Sequence, residues 1–230
     1  MRKFAIIFDM DDTLFAESTF VFSGFEAVAI WGKEKLSLPK EQSLECLNNL
    51  FNSGERQKTF DLWLEEFGVE TSDHIITETV EIYRNHRPNI KPFSWVSPLL
   101  SEIRYVYGVG LLSDGFLKVQ TQKFNALKIA PLFDAVLFSD ELGRNNWKPS
   151  SKPYKKIAKD LNLKCKNCIY IGDNPTKDFI GARRAGMLSI RYRYHGGIYH
   201  DLEPATAEHR PDLELSEISE LENAIQELFY

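Results

Sequence analysis

Five short apolar runs occur in this chain, and they constrain its fold more than any other feature. Each has the length of a β-strand and is rich in branched or aromatic residues, which favours strands buried on both faces. The runs are Phe4–Phe8, Val109–Leu112, Ala135–Phe138, Cys168–Ile171 and Leu188–Tyr192. Helical patterns separate the later runs, at Leu117–Leu127, Pro153–Leu161 and Asp178–Ala185. This alternation predicts an α/β fold, with a Rossmann-like parallel sheet and helices on both faces.

Residues 16–90 interrupt the alternation, because they show helical spacing and no convincing strand. The helical segments are Phe20–Trp31, Glu41–Phe51, Gln57–Phe67 and Thr77–Tyr83. Pro88 and Pro92 then return the chain to a helix at Val96–Tyr105, and a last amphipathic helix is predicted at Ser216–Leu228. We therefore predict a catalytic core made of residues 1–15 and 91–230, with residues 16–90 inserted as a helical cap.

The charge and hydropathy of the chain argue against nucleic-acid and membrane partners. The net charge is −5, whereas binding to a nucleic-acid backbone usually needs a clustered basic face, so we expect no nucleic-acid partner. No apolar run approaches the roughly 20 residues of a membrane span, nor the core of a signal peptide. The sequence thus predicts a cytoplasmic protein that acts on small molecules without a membrane partner, and it does not indicate the oligomeric state.

The three cysteines do not suggest a disulfide framework. Cys165 and Cys168 form a CxxC pair, and Cys46 stands apart. A structural zinc site needs four ligands, and no second CxxC or HxxxH pair accompanies this one. The pair is therefore interpreted as the entrance to a strand rather than as a metal or redox site.

Acidic residues follow several of the predicted strands. Asp9 and Asp11 come directly after the first run, and Asp173 and Asp178 follow the fourth. A single Asp at such a position is often a turn former or helix cap. Two ionised carboxylates about 4 Å apart repel each other by roughly 1 kcal/mol in water and by about 4 kcal/mol at an effective dielectric constant of about 20. Bringing four of them together at one edge of a sheet therefore requires a cation.

The ligand chemistry favours magnesium as that cation. Carboxylate oxygens select hard ions, and Mg²⁺ usually takes one or two carboxylates together with water and a substrate phosphate, whereas Ca²⁺ requires more protein ligands. A carboxylate beside such an ion can attack phosphorus and form an aspartyl phosphate. Asp9, the first acidic residue after the first strand, is placed for this attack.

Four motifs in this order resemble the haloacid dehalogenase superfamily, and its phosphatases in particular. They are FDMDDTL, LLSDG, WKPSSKPY and YIGDNPTKDFIGARRAGM. Each is short, but each lies beside a predicted strand or helix, and the resemblance covers nearly the whole chain. It implies a magnesium-dependent phosphatase that hydrolyses a small phosphorylated metabolite, a phosphate monoester, through an aspartyl phosphate beneath a helical cap.

The resemblance also implies a role for individual residues. Asp9 matches the nucleophile, and Asp11 matches the general acid that protonates the leaving oxygen and then activates water. The phosphate-binding positions are Ser113, Asp114 and Lys148. The metal-binding positions are Asp9, Asp11 through its backbone carbonyl, Asp173 and Asp178, the last of which is either a direct ligand or a support for one.

One segment departs from the family pattern. Four residues, 144–147, lie between Gly143 and Lys148, where two are usual. The longer loop puts the local route to Lys148 in doubt but not the choice of lysine, because Lys152 has the wrong spacing to Tyr154.

Several other functions were weighed against this one. A dehalogenase lacks a carboxylate at the position of Asp11, because a departing halide needs no proton. A dinucleotide-binding oxidoreductase is disfavoured because Gly108, Gly110 and Gly115 do not form GxGxxG. A phosphomutase and a non-catalytic binding protein on the same fold both stay open. The sequence leaves the substrate open among nucleotides, sugar phosphates and glycolate-type esters.

Overall fold

The computed structural model describes residues 2–229, and within them a six-stranded parallel sheet forms the centre of the fold. Its strands are β1 (Ala5–Phe8), β2 (Gly108–Ser113), β3 (Ala135–Phe138), β4 (Cys168–Gly172), β5 (Leu188–Tyr192) and β6 (Leu213–Leu215). The strand order is β3-β2-β1-β4-β5-β6, and each neighbouring pair is parallel. The predicted α/β class with a parallel sheet is confirmed.

The position of β1 in the sheet determines where ligands bind. β1 pairs with β2 on one side and β4 on the other, so that Ala5 lies opposite both Gly108 and Cys168. All four residues of β1 are buried, as expected for a strand covered on both faces. The strand order reverses beside β1, and in open α/β sheets such a reversal leaves a crevice at the carboxyl ends of the strands.

One strand has no counterpart among the predicted elements, and the last helix begins later than predicted. β6 has three residues, of which only Leu215 is buried, so its apolar pattern is too short to be read. The last helix begins at Leu221 after a 3₁₀ turn, rather than at Ser216. Both differences arise where a short edge element depends on pairing with its neighbour for its conformation.

Five helices accompany the sheet in the unit formed by residues 2–17 and 91–229. They are α5 (Val96–Ile103), α6 (Leu117–Leu127), α7 (Ser151–Asp160), α8 (Asp178–Ala185) and α9 (Leu221–Phe229). The buried residues Tyr154 and Ile157 of α7 and Ala182 of α8 share one core cluster with the inner strands. At Gly181, a Cβ would come within 2.5 Å of the Tyr154 ring, so glycine allows the two helices to pack closely.

The segment between β1 and α5 is helical, as predicted. Its helices are α1 (Glu17–Leu36), α2 (Lys40–Asn52), α3 (Thr59–Glu66) and α4 (Asp73–Asn85). Residues 18–90 form a second compact unit with its own core, in which Phe25, Leu47 and Trp63 are buried. The domain boundaries chosen from the sequence, and the role of residues 16–90 as a cap, stay predictions.

Neither the helices nor the cysteines indicate a membrane or disulfide context. Across residues 2–229, every helix is too short or too polar to cross a membrane. Cys46, Cys165 and Cys168 are free thiols. Burial raises the pKa of Cys168 to about 12, so this thiol is not a reactive thiolate at neutral pH.

Candidate active site

The loop after β1 is held in place by its backbone and by Asp12. The backbone N–H of Asp9 donates to the Ile171 carbonyl of β4 at 2.7 Å. Asp12 has a positive φ of 48°, and its carboxylate accepts the backbone N–H groups of Glu17 at 2.8 Å and Ile198 at 2.7 Å. Asp12 thus shapes the turn that fixes the position of Asp9.

Three buried carboxylates lie together where β1 and β4 end. Asp9 follows β1, Asp173 follows β4, and Asp178 is the first residue of α8. One carboxylate oxygen from each lies within 4.8 Å of those of the other two, and across residues 2–229 this is the one group of at least three His, Cys, Asp or Glu side chains so arranged. We call these three residues the carboxylate group. It joins three of the four carboxylates predicted from the strand ends.

The electrostatics of the carboxylate group favour a bound cation. Burial raises the pKa of Asp9 to about 7, even though Lys148 acts in the opposite direction. Burial also holds the pKa of Asp173 well above its usual range, with further contributions from Asp178 and Asp9. Because the ionised carboxylates lack sufficient positive charge nearby, a divalent cation would stabilise them. Oxygen donors of this kind fit Mg²⁺.

Lys148 supplies the positive charge within the carboxylate group. Its ammonium lies 3.1 Å from an oxygen of Asp9 and 2.8 Å from an oxygen of Asp178, and it donates to the Tyr170 hydroxyl at 2.8 Å. Burial alone would lower the pKa of Lys148, but Asp178 and Asp9 outweigh burial and raise it well above its usual value. Lys148 is therefore a permanent cation beside Asp9.

The longer loop before Lys148 adopts a defined path. Arg144–Asn146 form a 3₁₀ turn, and the indole N–H of Trp147 donates to Asp140 at 3.0 Å. The backbone N–H of Lys148 then donates to the Asp114 carboxylate at 2.9 Å. The two additional residues are thus accommodated in the turn, and Lys148 still reaches the ends of the strands.

Both oxygens of Asp178 accept hydrogen bonds from protein donors. One oxygen accepts from Lys148 at 2.8 Å and from the Tyr170 hydroxyl at 3.3 Å, and the other accepts from the Asn174 backbone N–H at 3.0 Å. At Gly172, a Cβ would come within 2.6 Å of the second oxygen, so only glycine allows this approach. Asp178 orients Lys148 and the loop, and direct metal binding by Asp178 stays a prediction.

The end of β2 provides the predicted phosphate-binding residues. Ser113 is buried, and its hydroxyl accepts from the Gln120 amide at 3.1 Å. The Asp114 carboxylate accepts from the Ser139 hydroxyl and lies 3.5 Å from the Lys177 ammonium. Burial opposes ionisation of Asp114, but the charges of nearby lysines lower its pKa below its usual value. Phosphate binding by Ser113, Asp114 and Lys148 stays a prediction.

The Asp11 carboxylate has different partners from those of Asp9. One oxygen accepts from the Lys123 ammonium at 2.7 Å and the other from the Gln120 amide at 2.8 Å. Its side chain is 18% exposed, and it is not one of the three residues in the carboxylate group. The side chain of Asp11 thus lies outside the carboxylate group, and its roles as general acid and as metal ligand through its backbone carbonyl stay predictions.

Three polar residues near the site were not singled out from the sequence. Lys123 and Gln120 belong to α6, and Lys177 lies one residue before Asp178. Lys177 is part of the motif that contains Asp173, so proximity in sequence is a signal that could have identified it. Lys123 and Gln120 are three residues apart and therefore share a face of their helix, but nothing local indicates which way that face points.

Comparison with known proteins agrees with this geometry. A family model described as haloacid dehalogenase-like hydrolase matches residues 6–192. A glyceraldehyde 3-phosphate phosphatase of Methanopyrus kandleri is 30% identical over 232 residues, covering 97% of this chain and 97% of that protein. A second enzyme with the same name, from Methanocaldococcus jannaschii, is 28% identical over 228 residues, again covering 97% of each.

A solved structure with low sequence identity to this chain has the same fold. YfnB from Bacillus subtilis, whose crystal structure was determined with bound magnesium, superposes with a TM-score of 0.67 at 17% identity. The match covers 98% of this chain and 99% of that chain. The sheet and the helical insertion after β1 therefore recur in a protein with very different sequence.

Proposed function

The chain belongs to the haloacid dehalogenase-like hydrolases and is a phosphoric monoester hydrolase, and we propose that it cleaves a small phosphate ester with magnesium through a covalent phosphate on Asp9. The observation that supports this proposal most directly is the environment of Asp9. One of its oxygens lies 3.1 Å from the Lys148 ammonium, and one lies within 4.8 Å of an oxygen of Asp173 and of Asp178.

The proposed reaction has two steps, and the same pair of aspartates takes part in both. In the first, an oxygen of Asp9 bonds to phosphorus while the bond from phosphorus to the ester oxygen breaks. Asp11 gives a proton to the departing oxygen, which leaves as an alcohol. In the second, Asp11 takes a proton from water, whose oxygen bonds to phosphorus as the bond to Asp9 breaks. Inorganic phosphate is released and Asp9 is regenerated.

Lys148 and Ser113 would stabilise the phosphoryl group during both steps. The Lys148 ammonium is fixed on Asp9 and Asp178, so it needs no reorientation when negative charge develops on the phosphoryl oxygens. The Ser113 hydroxyl is buried at the end of β2, where it would donate to one of those oxygens. Fixed donors of this kind lower the barrier because they are already oriented before the reaction.

Asp9 and Asp173, together with the backbone carbonyl of Asp11, would hold the magnesium ion. The carboxylate group offers oxygen donors and excess negative charge, and the similar protein YfnB was crystallised with magnesium. When bound, the ion would neutralise charge on the transferring phosphoryl group. Asp178 stays a predicted ligand, because its oxygens already accept hydrogen bonds from protein donors.

Magnesium is expected to stabilise the folded protein, and not only to support activity. At a concentration of about 100 times its Kd, a bound ion adds about 2.7 kcal/mol to the free energy of unfolding. We expect Mg²⁺ to raise Tm and EDTA to abolish phosphate release, and we expect Asp173→Asn to lose both responses. Differential scanning fluorimetry, with NaCl of matched ionic strength as control, tests this. An unchanged Tm response in Asp173→Asn would remove Asp173 from the metal site.

The substrate is proposed to be a small phosphorylated metabolite, with glyceraldehyde 3-phosphate as the first candidate. Two similar proteins that match 97% of this chain carry the name glyceraldehyde 3-phosphate phosphatase. We expect glyceraldehyde 3-phosphate to be among the esters hydrolysed with the highest kcat/KM in a broad panel, measured by phosphate release with Mg²⁺. Activity on other esters alone would change the substrate but keep the chemistry. Silence across the whole panel would favour the non-catalytic alternative.

A further inference from the structure

The Asp11 carboxylate is held by two side chains of α6. Lys123 donates to one oxygen at 2.7 Å, and Gln120 donates to the other at 2.8 Å. Both donors are buried, with 4% and 1% of their surfaces exposed. Hydrogen bonds to both oxygens restrain rotation of the carboxyl group about its Cβ–Cγ bond. These two contacts therefore define the plane in which Asp11 would exchange its proton.

The donors themselves are held firmly by the surrounding structure. The Gln120 amide nitrogen also lies 3.1 Å from the Ser113 hydroxyl and 2.5 Å from the Asp114 carbonyl, both at the end of β2, so its two hydrogens are shared among three acceptors. Gly115, with a φ of 132°, lies against the Gln120 side chain, and a Cβ there would come within 3.1 Å of the amide nitrogen. Gln120 therefore links the position of Asp11 to the predicted phosphate-binding strand end.

Lys123 is shared between two carboxylates. Besides Asp11, its ammonium lies 3.7 Å from Glu17, and only 5% of the Lys123 side chain is exposed. Attraction to nearby carboxylates offsets part of the hydration that a buried ammonium loses. Since Lys148 binds Asp9 and Asp178 instead, Asp9 and Asp11 of the first motif contact separate lysines.

We propose that Lys123 and Gln120 are positioning residues for Asp11, which hold its carboxyl group in the orientation needed to protonate the leaving oxygen. This inference depends on the proposed function, in which Asp11 is the general acid. Both residues would act through Asp11, whose carboxyl oxygens they contact. Misplacing a catalytic group by about 1 Å can lower the reaction rate about 100-fold. Loss of either hydrogen bond to Asp11 should therefore lower the rate measurably.

Substrates with different leaving groups distinguish loss of a positioned general acid from general damage to the protein structure. An alkyl phosphate, such as glyceraldehyde 3-phosphate, releases a poor leaving group that needs a proton. 2,4-Dinitrophenyl phosphate releases a phenolate that is stable without one. We compare kcat/KM for both esters, because this ratio reports the steps up to cleavage of the ester bond. Asp11→Asn sets the reference, with a large loss on the alkyl ester and a small loss on the aryl ester.

Lys123→Met is expected to lower kcat/KM about 10- to 100-fold on the alkyl ester and by less than about threefold on the aryl ester. Gln120→Leu removes the hydrogen bond to the other oxygen of Asp11. We expect it, too, to lower kcat/KM more on the alkyl ester than on the aryl ester, which provides a second test if one variant folds poorly. Lys118→Met is the matched control, since Lys118 is exposed on the same helix. Circular dichroism verifies that each variant is folded.

Two results would overturn the inference while leaving the proposed function intact. One is an equal loss on both esters, which indicates structural damage. The other is no loss on either ester while Asp11→Asn still discriminates between them. Failure of the proposed function looks different, because the unaltered protein would then hydrolyse neither ester in the presence of Mg²⁺.

Discussion

Asp9→Asn is expected to lower phosphate release at least about 1,000-fold, because the variant lacks the carboxylate that bonds to phosphorus. The loss should appear in kcat for every ester that the protein hydrolyses, whatever its leaving group. It should also abolish covalent phosphate on the protein, detected by mass spectrometry after rapid quenching. Equal phosphate release by Asp9→Asn and the unaltered protein would refute the assigned nucleophile.

The variant is expected to fold normally, which makes the activity loss interpretable. Burial raises the pKa of Asp9 to about 7, so the folded state disfavours its ionised form, and a neutral amide of the same shape should not lower Tm. Lys148 keeps its contact with Asp178 at 2.8 Å. Asp160→Asn is a matched control, because Asp160 is exposed on α7 and its pair with Lys156 contributes little.

Lys148→Met is expected to impair both activity and stability. Removing one fixed donor to the phosphoryl group typically costs about 100- to 1,000-fold in kcat. Removing one partner of a buried ion pair costs about 3 to 5 kcal/mol in the free energy of unfolding, and the Lys148 and Asp178 side chains are both completely buried. Chemical denaturation and phosphate-release assays measure the two effects.

A double variant separates the two effects of Lys148. Asp178→Asn, introduced into Lys148→Met, neutralises the carboxylate that was left unpaired, so we expect it to restore part of the stability but none of the activity. Lys152→Met serves as the control, because Lys152 lies in the same WKPSSKPY motif but is exposed. Comparable losses in Lys152→Met would contradict the choice of Lys148 over Lys152.

The fold and much of the site followed from local patterns in the sequence. Each of the strands β1 to β5 overlaps a predicted apolar run, because strands that are covered on both faces are largely apolar. Asp9 and Asp173 were expected to meet because parallel strands present their carboxyl ends at the same edge, and both belong to the carboxylate group. These conclusions required only the order of strands and helices along the chain.

What the sequence alone determined is the set of elements and the chemistry at their ends, since strand length, helical period and motif residues are properties of neighbouring positions. The tertiary structure decided which charged groups share a partner. The contact of Lys123 with Asp11 joins residues 112 positions apart, and the raised pKa of Asp9 depends on burial by distant segments. β6 likewise exists because β5 offers it a partner. Such features depend on how the chain packs in three dimensions, which local periodicity does not encode.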